Sequence, residues 1–110
     1  MILILTSIAL IIGAALDGKS TNDAITKGGA SEVDPVMVFL FRTTTPSWQR
    51  LFFIGGAIIA AEILLAGVGS HFHSGLRPYF AAQQLIQAGV HTYYYFANEK
   101  SLSQATHGKY

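Results

Sequence analysis

Between Leu51 and Gly69 the chain carries a single charge, Glu62, in a run otherwise apolar and long enough to cross a bilayer. A carboxyl at bilayer depth costs a few kcal/mol on insertion scales, so it faces a partner or a cavity rather than lipid. That run limits the chain to folds in which lipid is the main solvent. Glu62 becomes a site residue within them.

Composition agrees. The chain has 110 residues, 51% of them hydrophobic and 12% charged, where soluble domains carry roughly 25% charged residues. This length makes one domain with room for about three spanning helices of roughly 20 residues. A net charge of +1 gives no electrostatic case for nucleic acid as a partner. The absence of cysteine excludes a disulfide framework, a thiolate metal site and a thiol nucleophile.

The expected fold is all-α: a three-transmembrane-helix bundle over residues 1–98, followed by a polar C-terminal tail over 99–110. Helix one runs over 2–27, apolar to Leu16 and then polar, with Gly28-Gly29 as its stop. Helix two runs over 46–70, with Thr45 as N-cap and Pro46 in the first turn. Helix three runs over 76–98. Asp34-Pro35 opens a short apolar helix over 35–42, too short to span and placed at the interface. Met1–Leu16 also has the shape of a signal-peptide core, with residues 1–15 as the part removed. No Lys or Arg precedes Lys19, however, and a signal peptide needs a basic start, so the expectation is a retained helix.

Lys and Arg set the orientation. Lys19, Lys27, Arg42, Arg50, Lys100 and Lys109 fall on one side of such a bundle and Arg77 alone on the other. The positive-inside rule then puts the N-terminus outside and the C-terminus inside, in a bacterial inner membrane. Trp48 and Tyr93–Tyr95 lie at the inner interface, Tyr79 and Phe80 at the outer one.

Helical spacing sorts the polar residues onto faces. In helix two, Gly55, Glu62 and Gly69 recur at intervals of seven. Gly56–Ala60 and Ala57–Ala61 are small-xxx-small pairs beside them, so this side is expected to be the close-packed one. Helix three carries Gln84, Gln87, His91, Tyr94 or Tyr95, and Asn98 at steps of three and four. Helix one offers Thr6, Gly13, Asp17 and Thr21. With a rise of about 1.5 Å per residue, Glu62 lies about 18 Å from Arg50, near the level of Gln84 and Gln87. Asp17 and His91 form a second layer beneath, so these five residues make one intramembrane polar cluster.

Several roles fit that cluster. The ordinary one for Glu62 is a carboxyl that fixes helix packing by bonding to an amide. The sharper ones are a proton- or cation-handling carboxylate, or a contact to a neighbouring subunit or pigment. Asp17 with His91 is a carboxylate–imidazole couple, which orients a metal, relays a proton or simply pairs two helices. His91 is also the one intramembrane histidine available to a haem, a chlorophyll or a metal, although no cofactor is expected. His71 and His73 lie in the outer turn with no acid or thiol to complete a metal site. Ser31 and Ser47 have no base at a nucleophile's spacing, so the chain is not expected to be an enzyme.

Asp17, Thr21, a glycine stop and then Glu32-Val33-Asp34-Pro35 resemble the pattern of an uncharacterised family of small three-helix prokaryotic membrane proteins. That pattern runs Asp…Thr…Gly…Glu-x-Asn-Pro, with Tyr…Asn ending helix three, here Tyr94 and Asn98. Asp34 stands where the family usually has Asn, and the basic residue often found in its second helix is matched only by Arg50. The resemblance implies that Asp17, Thr21, Glu32 and Pro35, with Asp34 beside them, gather at the inner end of helix one. It brings no activity with it.

The functional expectation is a non-catalytic accessory subunit of a larger integral-membrane complex, respiratory or photosynthetic, with the lipid bilayer and other subunits as partners. Two alternatives stand beside it: a homo-oligomeric ion or proton transporter using Glu62, and an intramembrane haem, pigment or metal protein using His91.

Overall fold

The computed structural model describes residues 1–29 and 35–107, and every described element is helical. Helix α1 spans Ile2–Gly28 and stops where Gly29 turns left-handed, at φ 69°, returning its N–H to the Ala24 carbonyl. A side chain at such a φ costs about 1–2 kcal/mol, which is why glycine ends so many helices. Helix α2 spans Pro35–Phe41. Arg42 follows it at φ 62°, held by its N–H on the Val38 carbonyl at 2.8 Å and by its guanidinium 4.6 Å over the Phe39 ring.

Helix α3 spans Trp48–Phe72, starting and ending two residues later than 46–70. Its N-cap is Ser47, whose Oγ accepts the Arg50 N–H at 3.4 Å. Thr45 does not cap it, because its own N–H is tied to Thr43 Oγ1 at 3.1 Å, and Pro46 therefore precedes the helix. Arg50 Nη1 donates to the Phe41 carbonyl at 2.7 Å. This fills one of the acceptors that α2 leaves open at its end and pins α2 to the first turn of α3.

A single 3₁₀ turn, Ser74–Leu76, leads into α4, Arg77–His107. The expected boundary at Asn98 does not hold, and residues to His107 belong to the helix rather than to a polar tail. Glu99–Gln104 contains no glycine or proline, and extending a helix already nucleated is cheap.

Helices α1 and α4 run parallel in close contact, and α3 returns antiparallel beside them. On α1 the inward residues are Thr6, Leu10, Gly13, Asp17, Ser20 and Ala24; on α4 they are Ala81, Gln84, Ala88, His91, Tyr95, Asn98 and Leu102. Steps alternating between three and four make a seven-residue repeat, which keeps two slightly supercoiled helices in register. Gly13 sets the separation: a Cβ there would lie 3.1 Å from the Ala88 carbonyl oxygen.

Two helices, α1 and α3, are long and apolar enough to cross a membrane. Only 17% and 11% of their apolar windows are buried, so neither is the hidden core helix of a water-soluble domain. At 31 residues α4 has the length, but its glutamines and His91 leave it less apolar than the other two.

Gly13→Val is expected to push α1 from α4 and cost about 1–3 kcal/mol in denaturant titration of the detergent-solubilised protein. Gly55→Val is expected to be near neutral in the same assay, because no atom lies within 4 Å of a Cβ at Gly55.

Candidate functional site

The α1–α4 seam holds two polar clusters. Toward the N-terminal end of α1, the Gln84 side-chain oxygen accepts from Thr6 Oγ1 at 2.5 Å and from Ser7 Oγ at 3.3 Å. Gln84 is 3% exposed, and its amide nitrogen has no partner among the described residues.

The second cluster is centred on Asp17. One carboxyl oxygen, Oδ2, pairs with His91 Nδ1 at 2.7 Å, and the other, Oδ1, accepts from Thr21 Oγ1 at 3.2 Å. Asn98 Nδ2 donates to both Thr21 Oγ1 and Ser20 Oγ at 3.1 Å, and Ser20 Oγ donates to the Asp17 carbonyl at 3.0 Å. Five side chains on two helices thus form one connected network. With Nδ1–H on Asp17, His91 keeps Nε2 as its free ring nitrogen among the described residues.

Across from this seam, α3 supplies Glu62. Gln87 of α4 meets it: with the amide nitrogen turned toward the carboxyl, the orientation that hydrogen bonding selects, Nε2 lies 2.5 Å from Oε2 and 3.3 Å from Oε1. The Gln87 oxygen then accepts from Gln83 Nε2 at 3.3 Å. Of the two glutamines open to Glu62, Gln87 takes it, and Gln84 turns to α1 instead.

Of the four small residues on α3 expected to pack, Gly55, Gly56, Ala60 and Gly69, one makes a close contact within the chain. Gly69 is packed, since a Cβ there would lie 2.9 Å from the Phe80 ring. Gly55 and Gly56 have nothing within 4 Å of a Cβ, and Ala60 is exposed. Helix α3 is fastened near its ends, by Arg50 to α2 and by Gly69 to Phe80, and stands away from α1 between them.

The gap is a cleft of about 1180 Å³ between α1, α3 and α4. Asp17, Thr21, His91 and Asn98 form a polar strip on one wall, and Glu62 belongs to the other. Gly55, Gly56, Phe52 and Ile59 make the apolar remainder, and Met37 and Phe41 of α2 sit at one end. Pro35 opens α2; Ser31, Glu32, Asp34 and Lys109 lie outside the described residues. Among the described residues no three His, Asp or Glu side chains gather into a metal-holding group.

Ser20, Thr6 and Ser7 were not singled out as site residues from the sequence. The signal for Ser20 was there in the repeat: it lies three residues after Asp17 and four before Ala24, on the seam spacing. Comparison with family models, with curated proteins and with solved structures finds no match.

Asp17→Ala and His91→Ala are each expected to destabilise the protein in detergent by about 1 kcal/mol, since each leaves a partly buried polar partner unpaired. Their double variant is expected to lose clearly less than the sum, and a double-mutant cycle measures that coupling.

Proposed function

We propose that the chain is an integral membrane protein with three crossings, α1, α3 and α4, and that it serves as a non-catalytic subunit of a larger membrane assembly. Crossing by α4 follows from its attachment to α1. The two helices are joined from Thr6–Gln84 through Asp17–His91 to Ser20–Asn98, so lipid surrounding one surrounds the other. Of the polar side chains in the apolar part of α4, Gln84, His91 and Asn98 lie against α1 and Gln87 meets Glu62, where they escape the cost of facing lipid; Gln83 is exposed. The molecule is 55 Å long, whereas a bilayer with its headgroups is about 40–45 Å thick. The last turns of α4 therefore emerge into water on the side that the positive-inside rule makes cytoplasmic.

The observation that carries the subunit reading is the uncovered middle of α3. Ala57 and Ala61 form a small-xxx-small pair that is exposed and lies outside the cleft, whereas Gly56 and Ala60 beside them line it. In lipid, helices gain little by burying apolar area on one another, and association depends on the close approach that small residues permit. A stripe of this kind left unused inside the chain supports a helix of another chain as its partner.

The test is assembly in mild detergent and in native membranes. Ala57→Leu with Ala61→Leu is expected to release the chain from its assembly, seen as a shift to the monomer on native electrophoresis, with helicity by circular dichroism unchanged. A wild-type chain that is monomeric in detergent and forms no cross-links to other chains in native membranes contradicts the reading.

A further inference from the structure

The cleft has a size, a sign and a composition, and together they specify an occupant. Its volume is about 1180 Å³, close to the roughly 300–1,000 Å³ of small-molecule sites. That is the scale of a compact organic molecule.

Its formal charge is negative: Asp17 and Glu62 both line it, from opposite walls, and no Lys or Arg among the described residues does. At the α2 end, the Arg50 guanidinium is turned onto the Phe41 carbonyl at 2.7 Å. Both carboxyls bond only to neutral groups or to His91.

Its remaining lining is apolar, with Phe41, Phe52 and Tyr94 among it. Aromatic faces attract cations, the more so when water is excluded. A bare inorganic cation would lose its hydration against mostly apolar walls, and an anion would meet the two carboxyls. A neutral apolar molecule would gain nothing from the two carboxyls.

We infer that the cleft between α1, α3 and α4 binds a lipophilic organic cation, an amine, quaternary ammonium or phosphonium with an apolar body, its charge held between Asp17 and Glu62. Gly55 and Gly56, which leave the α3 wall without side chains, make room for the body. This goes beyond the subunit reading and does not depend on it, because the probe is a small molecule and the readout needs no partner chain.

The full-length protein in a neutral maltoside detergent is dialysed against tetraphenylphosphonium and, separately, against tetraphenylborate, an anion of nearly the same shape. Saturable binding of the phosphonium alone is expected. Glu62→Gln and Asp17→Asn, which keep hydrogen-bonding capacity but remove a charge, are each expected to weaken it at least about tenfold, since an opposite charge a few ångströms away at intermediate dielectric is worth more than that. Gly55→Leu is expected to abolish it by filling the cleft, with the fold intact because nothing crowds that position. Equal binding of the two ions overturns the proposal, as does undiminished affinity in Glu62→Gln. Binding that vanishes once phosphatidylethanolamine is added to the micelles also overturns it, since the cleft is then a groove for lipid. Should Asp17→Asn fail to fold, Glu62→Gln and Gly55→Leu decide the matter alone.

Discussion

The direct contact between α1 and α4 is the constraint on which the rest of the structure depends. These helices are not consecutive and they run in the same direction, so α3 must cross back between them in the chain. Their contact is close because Gly13 lets the Ala88 backbone approach. It is specific because polar groups at matching heights answer one another: Thr6 with Gln84, Asp17 with His91, Ser20 with Asn98. In a medium without water each group would be costly alone. A slip of one helical turn would separate all three pairs at once, so the pairs set register and direction together.

Helix α3 obeys a different rule. It carries Glu62 into the bundle, where Gln87 receives it, and buries Ser70 near its end. Elsewhere it touches its neighbours chiefly near its ends, leaving a cleft on one side and uncovered small residues on the other. The same loose attachment therefore produces both a cavity with two acids in it and a surface suited to another helix. Their chemistry differs: the cleft is negative and aromatic, whereas the outer stripe is small and uncharged.

Much of this was legible in the residues. The apolar runs and their punctuation located the helices, since Gly28-Gly29 and Asp34-Pro35 are stop and start signals with a mechanical cause. Steps of three and four placed Asp17 opposite His91, and Glu62 within reach of Gln87. Two things were not legible. Small residues on α3 mark a surface able to pack closely, but not whether the partner is in the same chain; hence Gly55, Gly56 and Ala60, expected in the core, border an opening. Nor did the polarity of 99–107 reveal its helix, because a hydrophilic stretch without glycine or proline reads equally well as a tail or as extra turns of a helix begun upstream. The N-cap moved from Thr45 to Ser47 for a similar reason: both residues suit the position, and the hydrogen bond between Thr45 and Thr43 decides between them.

The central claim, that α4 crosses the membrane alongside α1, is tested most directly by sided labelling of single cysteines. The chain contains none, so Gly75→Cys and Ser103→Cys each report from one place. In intact cells and in inverted vesicles, a membrane-impermeant maleimide is expected to reach Cys at position 75 from the outer face only and at position 103 from the cytoplasmic face only. Labelling of both positions from the same face would mean that α4 does not cross, and would contradict the account.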